Sequence, residues 1–65
     1  MYIIKIKGKA KIPDYIQIRD DDFTLIAYFR ADNIERGMKQ AGLIDYIENV
    51  VNIIDKIEYG KVEKI

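Results

Sequence analysis

Covalent chemistry has almost nothing to work with in this chain. Its 65 residues include no serine, cysteine or histidine, and Thr24 is the single aliphatic hydroxyl. A threonine becomes a nucleophile only beside a general base or an N-terminal amine. Thr24 lies between Phe23 and Leu25, in a stretch that reads as a strand. The carboxylates are the next candidates, and Asp20-Asp21-Asp22 is their densest cluster. Calcium and magnesium require several oxygens converging on one point. Neighbouring residues of an extended chain point to opposite sides, so three consecutive aspartates form a solvated hairpin turn more naturally than a metal site. A carboxylate acid–base pair would also need one member in an apolar pocket, and a triple-aspartate turn offers none. No catalytic, cofactor-binding or metal-ligating residue is assigned, and a non-enzymatic protein is expected.

Two binding constellations remain. The first is Ile3, Tyr15, Ile26 and Tyr28. With Ile4, Ile6, Ile16 and Ile18 turned to a core, these four fall on the opposite side of the same strands. Tyrosine is enriched at interfaces because it is large, rigid and amphipathic. A patch of this kind predicts a protein-interaction or homo-oligomerisation surface, most simply a homodimer with stacked sheets. The competing reading is that the stems of Lys5, Lys7 and Arg19 lie across the patch and cover it.

The second constellation is the alternating row Lys5, Lys7, Lys9 and Lys11. On an unbroken strand these side chains share a face at about 6.6–6.8 Å intervals. That spacing suits a polyanion, with Tyr15 and Tyr28 as stacking platforms for nucleic acid bases. The competing reading is an edge strand that carries lysines to prevent aggregation. Net charge favours the second: 11 basic side chains balance 11 acidic ones, whereas nucleic-acid binders show a basic excess. The charge is segregated nonetheless. Residues 1–19 carry five basic side chains against Asp14 alone, and residues 20–65 carry six basic against ten acidic.

These side chains need elements to hold them. Tyr2–Lys7 alternates as a half-buried strand, with Tyr2, Ile4 and Ile6 inward and the lysines outward. Gly8 and Pro13-Asp14 mark a bend and a turn. Tyr15–Arg19 alternates again. Phe23–Arg30 has two largely apolar faces, as the central strand of a sheet would. After Arg30 the period lengthens. Asp32 and Glu35 have capping-box spacing before a short helix over Asn33–Ala41, and Gly42 suits its end. Leu43–Tyr59 is the clearest helix, with apolar residues three and four apart. Its start is marked by Asp45 with Glu48, its last turn by Lys56 and its stop by Gly60. Lys61–Ile65 is either a short fourth strand or a frayed tail. The expected fold is α+β: a three-stranded antiparallel meander, then a short and a longer helix on one sheet face. The expected core is Ile4, Ile6, Ile16, Ile18, Phe23, Leu25, Ala27, Phe29, Leu43, Ile47, Val50, Val51 and Ile54.

Length sets the energetic frame. A single domain of about 60 residues buries only about 60% of its unfolded surface. Small domains compensate with disulfides, metals or oligomerisation, and without cysteine or histidine the last is the route left. Hydrophobic residues make up 49% of the chain, enough for a folded core. No apolar run approaches the roughly 20 residues of a membrane span, and the charged start lacks the features of a secretory signal. A cytoplasmic protein is the expectation.

Overall fold

The computed structural model describes all 65 residues, Met1–Ile65. Three antiparallel strands come first: β1 (Tyr2–Ile6), β2 (Tyr15–Arg19) and β3 (Leu25–Arg30). A turn of 3₁₀ helix over Ala31–Asn33 leads into α1 (Ile34–Gln40). A second such turn, Ile44–Tyr46, leads into α2 (Ile47–Ile54). The chain closes with β4 (Val62–Lys64), which pairs antiparallel with β1. The sheet order is β3-β2-β1-β4. No helix is long and apolar enough to cross a membrane.

Local chemistry explains the joints. At the end of α1, Gly42 N–H bonds to Lys39 O and Leu43 N–H to Met38 O. That is the double closure of a Schellman motif, and it requires the left-handed φ of 74° that Gly42 adopts. The helix starts differ from expectation. Asp32 and Asp45 make no capping hydrogen bond. Asp32 instead accepts two bonds from Arg30, at 3.0 and 2.7 Å, and Glu35 pairs with Lys39 one turn on. At the first helix, side-chain partners outcompeted the cap; at the second, Leu43 and Tyr46 occupy the N-cap positions and Asp45 lies inside the 3₁₀ turn. α2 stops at Ile54, well short of Gly60. Its terminal carbonyl is reached from another element, for Lys5 Nζ donates to Ile54 O at 3.3 Å. A cation there complements the helix dipole, a role expected of Lys56.

That contact belongs to a larger correction. The core comprises Ile3, Ile16, Ile18, Ala27, Phe29, Met38, Val50, Ile54 and Ile57. Ile3 lies opposite Ile18, and Lys5 opposite Ile16, and directly paired residues share a face. β1 therefore turns Ile3 and Lys5, not Ile4 and Ile6, toward the helices. Leu43 and Ile47 pack against the core while staying partly exposed. Phe23, Leu25 and Val51 are exposed. Phe23–Arg30 is not a central strand: β3 begins at Leu25 and forms one edge of the sheet. Its two apolar faces have separate causes. Ala27 and Phe29 enter the core, while Ile26 is the extra residue of a bulge opposite Ile18 and Arg19.

Candidate functional site

Both helices pack on one side of the sheet, so the other side has no second layer. The register defines what lines it. Tyr2 lies opposite Arg19 and Lys64, Ile4 opposite Gln17 and Val62, Ile6 opposite Tyr15, and Gln17 opposite Tyr28. These residues share the bare face. Tyr28 is 56% exposed and Val62 49%. Ile4, Ile6 and Tyr15 are half-buried only by their neighbours.

Aromatic packing stiffens this surface at two points. The Tyr15 and Tyr28 rings meet edge to face with centroids 4.9 Å apart. At the other end Tyr2 and Phe23 lie 5.9 Å apart, and the Arg19 guanidinium sits 4.8 Å from the Phe23 ring. Arg19 also donates to Phe23 O at 2.9 Å and to Gln17 Oε1 at 3.1 Å. Phe23 itself has φ of 66°. An L-residue in that region costs roughly 1–2 kcal/mol, and glycine or asparagine is the ordinary occupant. The strain holds a ring, 46% exposed, at the rim of the bare face. Charged residues on this face of the strands are Arg19, Arg30 and Lys64, with no carboxylate among them.

The expected interface set is thus divided. Tyr15 and Tyr28 are together on the bare face. Ile26 stands at the β3 edge in its bulge. Ile3 is fully buried on the opposite side. Tyr2, Ile4, Ile6, Phe23, Val62 and Leu25, which lies opposite Arg19, complete the surface. The Ile4-Lys5-Ile6-Lys7 alternation concealed the β1 members, Tyr2, Ile4 and Ile6, because it assigns the lysines to water. The signal pointing the other way was Tyr2-Ile3-Ile4, whose apolar side chains occupy both faces.

The lysine row is broken as well. β1 ends at Ile6, and Lys9 to Ile12 is a turn closed by Ile12 N–H to Lys9 O, with Ala10 left-handed at φ 53°. Lys9 and Lys11 project from this loop. Lys5 and Lys7 instead reach the Tyr59 ring, 4.9 and 5.8 Å from its centroid. Tyr59 Oη donates to Asp14 Oδ2 at 2.6 Å, and Gly8 N–H donates to Asp14 Oδ1 at 2.8 Å. Two lysines of the row therefore belong to a latch that ties the β1–β2 connection to the C-terminal segment.

This latch responds to pH. The Tyr59 hydroxyl, then the Gly8 amide and the nearby Lys5 and Lys7 charges, hold the Asp14 carboxyl below its usual 3.8. The same hydrogen bond raises the Tyr59 phenol above 10.0. A lowered carboxylate stabilises the fold above the unfolded value and loses that contribution as pH falls through the folded one. The raised phenol contributes below about pH 10, and its share is lost as pH rises through its folded value. Tyr59→Phe is expected to return the Asp14 titration, followed by carboxyl NMR, toward 3.8. An unmoved midpoint would place the cause elsewhere.

Two of the three hairpin aspartates have side-chain tasks of their own. Asp20 Oδ1 accepts the backbone N–H groups of Asp22 and Thr24, each at 2.9 Å. Asp21 pairs with the N-terminal ammonium at 2.8 Å. No group of three or more carboxylates converges on a point suited to a metal ion. Comparison with known proteins leaves the geometry to speak alone: no family model, curated protein or solved structure matches the chain.

Proposed function

We propose that this chain is a small non-enzymatic interaction module that works through the bare face of its sheet, pairing with itself or with another protein. One observation carries the reading. A two-layer domain leaves Tyr2, Ile4, Ile6, Tyr15, Tyr28 and Val62 without a covering layer. A sheet buries apolar side chains against a second layer, and contiguous exposed apolar patches mark interaction sites. The strained Phe23 adds support, since backbone strain is retained where an observed conformation serves a purpose. Arg19 and Lys64, which take part in none of the chain's ion pairs, favour a partner surface with an acidic rim.

Tyr28→Lys and Ile4→Lys test this reading. Neither side chain enters the core, so circular dichroism and thermal unfolding should resemble those of the parent. Light scattering after size exclusion is expected to show the parent as a dimer and both variants as monomers. Where the parent is monomeric, the variants are expected to abolish capture of a partner that the parent retains. Folded variants with unchanged association would refute the bare face as the working surface.

Polyanion binding through Lys5, Lys7, Lys9 and Lys11 is the second reading. Its support is narrower now that Lys5 and Lys7 belong to the Tyr59 latch. It rests on Lys9 and Lys11, exposed on their loop. It requires salt-sensitive retention on heparin that weakens when both become Gln.

A further inference from the structure

The β3 edge of the sheet is a second surface, and its use does not depend on the bare-face reading. The two edges are built differently. β4 is three residues long and carries Glu63 and Lys64, the short and charged pattern that discourages strand pairing. β3 is six residues long and has neither lysine nor proline; its protections are the bulge at Ile26, at its start, and Arg30, at its end, which leave Ala27–Phe29 regular and uncharged between them. Leu25, Ile26 and Tyr28 are all exposed along it. Its hydrogen-bonding parity is set by Ala31 N–H to Asp14 O at 2.8 Å, with Phe29 opposite Ile16 and Ala27 opposite Ile18. In an antiparallel ladder alternate residues bond to the same neighbour. Ala27 and Phe29 thus turn their backbone groups to β2, and Tyr28 and Arg30 turn theirs outward.

Beside this row of outward N–H and C=O groups, β3 and α1 form a channel. Phe29, Gly37 and Gln40 line its length, with Ile26 at the apolar end and Arg36 at the polar end. Arg36 takes part in none of the three ion pairs of the chain.

We propose that this edge accepts an extended peptide segment of a partner protein as a fifth strand, antiparallel to β3. Strand addition satisfies the outward backbone groups, and alternate side chains supply specificity. The β3 of a second copy has the same backbone row but brings its own α1. α1 sits so close over β3 that a Cβ on Gly37 would lie 2.2 Å from Phe29 Cγ. Pairing β3 with its copy about a two-fold axis normal to the sheet would set the two α1 helices side by side on one face, above strands only ~4.8 Å apart. Packed helix axes need about 8–10 Å. The occupant is therefore a segment with no helix above it. Antiparallel entry puts its N-terminal end beside Arg36 and its C-terminal end beside Ile26. An acidic residue followed by β-branched apolar residues at alternate positions matches that order.

The probe is a capped peptide that begins with glutamate and continues with alternating threonine and valine, titrated into ¹⁵N-labelled protein. The Tyr28 and Arg30 amides are expected to shift and to exchange with solvent at least tenfold more slowly. N-methylation of the peptide residue opposite Tyr28 should weaken binding about three- to tenfold, the effect of one hydrogen bond. Arg36→Gln should weaken the glutamate-led peptide about threefold and leave a glutamine-led peptide unchanged. Unmoved Tyr28 and Arg30 amides at millimolar peptide would overturn the proposal. So would shifts confined to Ile4 and Gln17 on the bare face. Shifts of the edge amides with protein concentration alone would make a second copy the occupant and overturn it equally.

Discussion

Ile3→Lys is expected to unfold the protein, whereas Ile4→Lys leaves it folded. The two positions are adjacent on β1 and carry the same residue. Ile3 is 0% exposed and sits opposite Ile18 in the core. Lysine there forfeits about 1.5–3 kcal/mol of side-chain burial. It also places an ammonium among apolar side chains, at an effective penalty of several kcal/mol. A chain of this size has roughly 3–10 kcal/mol of total stability, so the combined loss exceeds or consumes it. Ile4 lies opposite Gln17 and Val62 on the side without helices, where an ammonium stays in water. Lys5 sharpens the comparison, for it shares the helix-side face with Ile3. It is tolerated because its position near the end of α2 lets the ammonium reach Ile54 O and the Tyr59 ring. Far-ultraviolet circular dichroism and urea unfolding of the two variants check this directly. A folded Ile3→Lys beside an unfolded Ile4→Lys would mean that β1 presents its other face.

Gly37→Ala is the second large effect, because two familiar tendencies oppose each other there. Alanine stabilises an exposed helix interior by about 1 kcal/mol relative to glycine. Gly37, however, is buried against β3. A Cβ would stand 2.2 Å from Phe29 Cγ and 2.6 Å from both Cβ and Cδ1. Phe29 cannot simply swing its ring away, since one of the atoms met is its own Cβ, fixed to the strand backbone. Either α1 must lift or β3 must bend, and overpacking of this kind costs about 1–3 kcal/mol and at times more. The steric cost exceeds the propensity gain, so a net destabilisation of at least about 1 kcal/mol is expected. Gly37→Val should cost more, because its branches add to the same clash. Phe29→Ala in the Gly37→Ala background removes the ring atoms of the clash. The pair is therefore expected to be less unstable than the sum of the two single changes, the signature of direct coupling. Strict additivity in denaturant unfolding would show that the helix and strand separate more easily than their contact implies.

Much of the scaffold follows from local pattern. Period two over Tyr15–Arg19, the aspartate turn before β3 and the change of period after Arg30 each reflect short-range sterics and hydrogen bonding. So does Gly42, whose left-handed backbone closes α1. These features made the α+β order, the three-stranded meander and two helices on one face legible in the sequence. They also placed Ile16, Ile18, Ala27, Phe29, Val50 and Ile54 in the core. Three decisions lay beyond that reach, each depending on residues distant in the chain. The facing of β1 was set by pairing with Ile18 and Ile16 and by the carbonyl that α2 offers to Lys5, because a lysine stem can lie in a core side while its head finds a partner. The fate of Lys61–Ile65 was set by β1, whose free edge β4 completes. The length of α2 was set by Lys5 and by packing at Ile54 and Ile57, while its periodic pattern ran on without a stop. Alternation shows that a strand has two unlike sides. Which side meets the helices is a property of the assembled sheet, and in this protein that choice decides which surface is left to bind.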